Sequence, residues 1–221
     1  MSAPRDLAAW RPLDWDPPAS LEGAHTRLER LDAAHVEALH TANPLDAAHW
    51  HHLSYGPFPD PAVYRLWAEG AAASDDPFFY AVRGPSGWAG VASYLRIDRD
   101  HGGVEIGHIA LSPPLQRTRA ATEAIHLMID HAFEGGFRRV EWKCDAGNEA
   151  SLRAARRYGF RHEGTSRQHM VTKDRNRDTA WFAILDGEWP RLRTAHRAWL
   201  DDANFDAEGR QRRALSEMTA A

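Results

Sequence analysis

Val104-Glu105-Ile106-Gly107-His108-Ile109-Ala110-Leu111-Ser112 runs into Pro113-Pro114-Leu115-Gln116-Arg117-Thr118-Arg119-Ala120-Ala121-Thr122-Glu123-Ala124. The first nine residues read as a strand and the proline pair opens a short loop with two arginines. Thr118 is an N-cap candidate whose hydroxyl would satisfy one orphan amide. Ala124, Ile125, Met128, Ile129, Ala132 and Phe133 then recur at the spacing of a helix packed against a sheet. Gly135-Gly136 ends it. A junction of this kind gathers free backbone N–H groups and the positive end of a helix dipole, which is how proteins hold phosphate. The plain alternative is a solvated loop that binds nothing.

Downstream, Arg138 to Asp145 alternates like another strand, and Asn148-Glu149-Ala150-Ser151 opens a helix that Gly159 closes before Phe160. Together the two segments resemble the GCN5-related N-acetyltransferase (GNAT) superfamily, in its RimJ/RimL-type ribosomal-protein N-acetyltransferase branch. That family's first segment carries Gln/Arg-x-x-Gly-x-Gly/Ala, and its second carries Asn-x-x-Ser followed by Ala-x-x-x-Gly-Phe. Here Gln116, Ala121, Asn148, Ser151, Ala155, Gly159 and Phe160 match. Glu105-Ile106-Gly107 and Thr122-Glu123-Ala124 also look like the branch.

The resemblance covers residues 24–186 and implies a central mixed α/β sheet flanked by helices, with acetyl-CoA as cosubstrate. It implies that main-chain amides of Ile109, Ala110 and Leu111 contact the acetyl and pantetheine groups. It assigns Gln116, Arg117, Thr118, Arg119, Ala120, Ala121 and Thr122 to the pyrophosphate, and Asn148 and Ser151 to the pantetheine arm and the departing thiolate. One departure stands out: the family's first signature glycine falls on Arg119. Glycine permits close backbone approach, whereas arginine adds charge-assisted donors to phosphate oxygens. Arg117 and Arg119 are therefore expected to supplement the amide cradle.

The chain has 221 residues, 43% hydrophobic and 26% charged, enough for one globular domain with appendages. A net charge of −4 and a pI near 6.3 disfavour a nucleic-acid binder. Basic residues are nonetheless dense between Arg153 and Arg177, a rim suited to the phosphates of CoA or simply a solvated face. The single cysteine, Cys144, rules out an internal disulfide and suits a reducing cytoplasm, which is the expected location. No signal peptide and no membrane span are legible. Thirteen histidines cluster only at His49, His51 and His52, without metal-ligand spacing, so no metal is expected.

Residues 1–23, with Trp10 and Trp15, read as an extended arm docked on the body, residues 24–186 as the catalytic domain, and 187–221 as a C-terminal helix and polar tail. Strands are expected at 25–31, 78–83, 88–97, 160–172 and 178–185 beside those already quoted. Helices are expected at 32–42, 61–73 and 187–200, with 43–61 irregular.

Acetyl transfer to an amine needs a base for the ammonium proton and an acid for the thiolate. Strict alternation places Glu105, Gly107, Ile109 and Leu111 on one strand face. Glu105 is the first base candidate, with a strand carboxylate paired to an arginine as its structural alternative. His108 competes, on the opposite face unless a bulge reorients it, and a mechanism with no single essential base stays open. Ser151 is the acid candidate, with simple helix capping as the alternative. Acceptor-site candidates are Trp50, His51, Tyr55, Phe58, Arg96, His169, Arg175 and Trp181, an aromatic set suited to a small amine or a peptide N-terminus. The expected function is N-acetylation of a primary amine, either a protein N-terminus or a small metabolite or antibiotic. A non-catalytic acyl-CoA sensor is the third reading. The C-terminal extension could brace the domain, close the acceptor site or build a homodimer.

Overall fold

The computed structural model describes residues 7–44 and 46–220; the first six residues of the expected arm lie outside these. Two compact bodies emerge, one built from Trp15–Ile97 with Val104–Ile129, the other from the described residues up to Asp14, Asp98–Gly103 and Asp130 onward.

The first body runs β1 (Ser20–Glu22), β2 (Arg27–Arg30), a 3-10 turn (Ala33–His35), α1 (Val36–Ala42), α2 (Ala47–Trp50), α3 (Pro61–Ala72), β3 (Phe78–Gly84), β4 (Gly87–Asp98), β5 (Gly103–Leu111) and the start of α4 (Arg119–Glu134). Its strands lie in the order β1-β2-β3-β4-β5, and the first three pairings are antiparallel. Phe78 to Val82 are all buried, which is why this strand reads as an unbroken apolar run rather than an alternating one. Phe79 and Ala81 join Leu31, Leu39, Trp50, Tyr64 and Val91 in one core cluster. Elsewhere in this body the Tyr80 hydroxyl donates to Pro18 O and that of Tyr94 to Met128 O in α4. Asp60 caps α3 with Pro61 behind it, the favoured order at a helix start.

Two elements differ from the sequence expectation. β1 lies inside the stretch read as an arm, and at three residues it is too short for its alternation to register. α2 interrupts the stretch read as irregular, started by the Asp46 carboxylate accepting from His49 N at 3.0 Å. What holds the β1–β2 turn is a contact about a hundred residues away in sequence. Glu123, buried in α4, accepts from Ala24 N, His25 N and Thr26 N at 3.0, 2.6 and 2.9 Å. A Cβ on Gly23 would stand 2.4 Å from this carboxylate, so only glycine lets the turn approach it.

The second body holds β6 (Arg139–Asp145), α5 (Glu149–Arg157), β7 (Arg161–Thr172), β8 (Arg175–Leu185), α6 (Trp189–Leu200) and α7 (Leu215–Thr219), with strands ordered β6-β8-β7. Trp10 docks here: its indole donates to Asp100 O at 2.7 Å and Arg138 lies over its ring. β8 begins three residues earlier than expected because Lys173 and Asp174 both adopt positive φ, 48° and 59°, the geometry of a tight two-residue hairpin turn. Gly159, at φ 93°, closes α5 as expected; a Cβ there would meet Leu192 of α6 at 2.5 Å. The polar tail is also ordered. Trp199 Nε1 donates to Gln211, the Asn204 amide bonds Trp199 O and Arg213 O, and Leu215 is fully buried. Such side-chain hydrogen bonds carry no periodicity, so sequence reading passes over them. Among the described residues no helix is long and apolar enough to cross a membrane.

Replacing Glu123 with alanine strands three amide donors in a nearly buried turn, where each unsatisfied group costs about 1–3 kcal/mol. Urea denaturation of Glu123→Ala is expected to show a loss of about 3 kcal/mol; a loss below about 1 kcal/mol would mean that water takes over the carboxylate's role.

Candidate active site

β5 does not alternate to its end. His108 adopts φ 49°, a left-handed residue inside a strand and the signature of a bulge. Ser93 Oγ donates to Gly107 O and the Tyr55 hydroxyl donates to His108 O, both at 3.2 Å, so side chains of this body hold the two carbonyls at the kink. The bulge shifts the faces. A Cβ on Gly107 would meet Glu105 and Leu95, while the His108 ring packs 5.1 Å from Phe79 and 5.8 Å from Tyr55. Ala110 then joins the Phe79 cluster. Beyond the kink, Ala110 occupies the face that strict alternation gave to Ile109 and Leu111, because one extra residue reverses the parity of everything after it. The bulge brings His108 onto the face of Glu105.

Glu105 is buried, 2% exposed, and its carboxylate meets the Arg96 guanidinium. Arg96 is aimed by its own backbone. It adopts φ 48°, and the Asp76 carboxylate accepts from both Arg96 N and Ile97 N at 2.8 and 3.0 Å. This arrangement is the strand carboxylate–arginine pair held as the alternative to a base.

At the β5–α4 junction, Ser112 donates to Asn43 Oδ1 at 2.8 Å, and Leu115 N and Gln116 N both bond Ser112 O. Gln116 Nε2 reaches back to Leu111 O at 2.8 Å, so this side chain braces the loop. Arg117 takes φ 61° and turns the chain into the helix. Thr118 Oγ1 donates to Leu115 O and accepts from Ala121 N at 3.1 Å, which is the expected cap. Arg119 and Ala120 then occupy the first turn, where amides lack intrahelical acceptors. Thr122 hydroxyl bonds Thr118 O, and Ala120 and Ala121 are buried against the body.

In the second body, Asn148 caps α5 by accepting from Ser151 N at 3.1 Å. Ser151 Oγ in turn accepts from Trp142 Nε1 at 3.0 Å. Cys144, two residues along β6, is buried. Burial pushes its thiol up, against a hydrogen bond from Ser151 that pulls the other way.

The acceptor candidates separate. Trp50, His51, Tyr55, Phe58 and Arg96 belong to the first body, and His169, Arg175 and Trp181 to the second. Trp50, 1% exposed, donates to Pro44 O and meets Phe58 edge-on at 5.3 Å; both are packed into the core. Tyr55 lies 4.6 Å from Trp67, and burial raises its phenol so that it stays a neutral donor. His51 is exposed against His52. His169 Nδ1 is 2.9 Å from Thr179 Oγ1, Trp181 donates to Ser166 Oγ at 3.0 Å, and Arg175 is half-buried opposite Thr172. Sequence reading missed Asn43, Trp67 and Trp142, whose partners lie far along the chain or on another element. Among the described residues no cluster of His, Cys, Asp and Glu could hold a metal.

Residues 25–161 match the family model of the acetyltransferase (GNAT) domain, more than half of the chain. The chain belongs to the GNAT family. A GCN5-related N-acetyltransferase from Brucella melitensis is 42% identical over 96% of this GNAT chain and 99% of its own, with a TM-score of 0.93. A probable acetyltransferase of the GNAT family from Chromobacterium violaceum is 44% identical over 86% and 98%, with a TM-score of 0.79. An acetyl transferase from Salmonella typhimurium that modifies the N-terminal serine of ribosomal protein L7/L12 shares the fold, at 23% identity over 75% and 98% and a TM-score of 0.65. No curated protein matches significantly. The mixed α/β architecture is thus that of the GNAT N-acetyltransferases, a family that generally uses acetyl-CoA.

The Arg119 guanidinium stands at the opening turn of α4, where it is expected to supplement an amide cradle. Arg119→Ala is expected to raise the KM for acetyl-CoA about tenfold, the worth of one charge-assisted hydrogen bond, with a smaller effect at high salt. An unchanged KM in steady-state assays would remove that guanidinium from cofactor binding.

Proposed function

We propose that this protein takes acetyl from acetyl-CoA and passes it to a primary amine by direct attack, without a covalent acyl-enzyme. The observation that carries the reading is the Thr118-capped start of α4. There a left-handed Arg117, the Arg119 position and the first-turn amides follow the strand that bears the bulge. These residues fit a pyrophosphate, since they combine main-chain donors, a dipole terminus and guanidinium charge. When bound, acetyl-CoA supplies an activated thioester, and amides of Ile109, Ala110 and Leu111 are assigned to polarise its carbonyl. The single cysteine offers no nucleophile: it is buried and its thiol is raised, the opposite of an activated thiolate.

The proton released by the amine goes to the face that the bulge assembles. Glu105 is committed to Arg96, which makes it a positioning group beneath the strand. His108, between Tyr55 and Phe79, is the proton acceptor, as imidazole suits near-neutral pH. Ser151 returns a proton to the departing thiolate, and Asn148 holds the pantetheine arm. The acceptor we assign is a protein N-terminal amine, on the likeness of the two motifs to the RimJ/RimL branch. A small-molecule amine is the second reading, favoured by the closed packing of Trp50 and Phe58.

Release of free CoA from acetyl-CoA, measured across peptides, polyamines and aminoglycosides, decides between them. Turnover of peptides with small N-terminal residues is expected; turnover of polyamines or aminoglycosides alone would establish the second reading, and none at all a sensor. With the accepted amine, His108→Phe is expected to lower kcat about tenfold or more while leaving the KM for acetyl-CoA unchanged. An unchanged kcat in this variant would remove His108 from proton transfer.

A further inference from the structure

Trp142 is buried on β6, at 5% exposure, and no part of the family signature includes it. Its ring is fixed by Tyr158 at 6.0 Å and Phe160 at 5.6 Å, so the indole N–H has a set direction. That N–H donates to Ser151 Oγ at 3.0 Å. Ser151 is held at its other end by the Asn148 cap on its amide. Trp142 and Cys144 point to the same side of β6, and both are buried.

A serine hydroxyl has one proton and two lone pairs. With the indole occupying a lone pair, the hydroxyl is left to act as a donor, and accepting a hydrogen bond makes it a stronger one. We infer that Trp142 is a positioning residue that, through its indole N–H, orients and strengthens Ser151 as the donor to the departing CoA thiolate. The inference rests on the proposed role of Ser151. In the step concerned, the C–S bond of the thioester breaks, its electron pair stays on sulfur, and the Ser151 proton moves to that sulfur. The indole N–H bond supports the oxygen that is left electron-rich, and the serine recovers its proton from solvent.

The test reads the thiolate itself and needs no acceptor amine. Free CoA is bound to the purified protein and its thiolate absorbance is followed against pH. In the native protein the bound thiol is expected to titrate below free CoA. Ser151→Ala should raise that midpoint by about one unit, the worth of one hydrogen bond to a charged group. Trp142→Phe keeps the ring and removes the donor; it should raise the midpoint by about half a unit with CoA affinity unchanged, and add nothing in the Ser151→Ala background. A shift with Ser151→Ala but none with Trp142→Phe overturns the inference while leaving the serine's role. No shift with Ser151→Ala overturns the serine's role and the inference with it. Should Trp142→Phe fold poorly, the indole N–H resonance of Trp142 is followed in Ser151→Ala instead: it is expected to move upfield, and an unmoved resonance overturns the inference.

Discussion

Three amides of one turn converge on a single buried carboxylate, and the first body is organised around that fact. Glu123 sits one turn into α4, so the bonds it accepts from residues 24–26 tie the helix start to the β1–β2 hairpin. Opposing this are the desolvation of a carboxylate and the ordering of a turn; three donors aimed at one group offset both. The consequence is a helix N-terminus whose position is set by tertiary contacts and not by local propensity alone. Thr118 and the Ser112–Asn43 bond fix the loop that precedes it. A phosphate cradle made of amides is useful only if those amides are preorganised.

The second constraint is the kink in β5. A left-handed histidine in a strand is costly unless its surroundings hold it, and here Tyr55 and Ser93 bond the carbonyls on either side of the displacement. The same device appears at Arg96, where Asp76 holds a left-handed residue and so aims the guanidinium at Glu105. Both distortions serve placement. They bring an ion pair and an imidazole to one strand face, which a regular β-strand would have separated.

Much of this was legible in the sequence because it is local. The Thr118 cap, the Asn148 cap, the closing Gly159 and the alternation of β6 are written within a few residues of where they act. The face assignment beyond His108 was not, since no residue type announces a bulge and one displaced residue inverts the parity of all that follow. The tail beyond Asp201 and the short β1 escape pattern reading for a related reason: their order comes from single side-chain bonds, Asn204 and Gln211 at the C-terminal end and Glu123 from α4, that carry no periodicity. Nothing in the sequence sets Trp142 apart from a core tryptophan. Its indole partner lies on the next helix, nine residues away at 3.0 Å, and only the fold brings the two together.

Acetyl transfer as proposed requires that the strand–loop–helix junction grip an acyl-CoA through main-chain nitrogen. Isothermal titration of acetyl-CoA into the folded protein asks this directly. One site per chain is predicted, with micromolar affinity of about −7 to −9 kcal/mol that weakens as salt rises. Absence of heat at all temperatures, from protein shown to be folded by its cooperative melt, would contradict it.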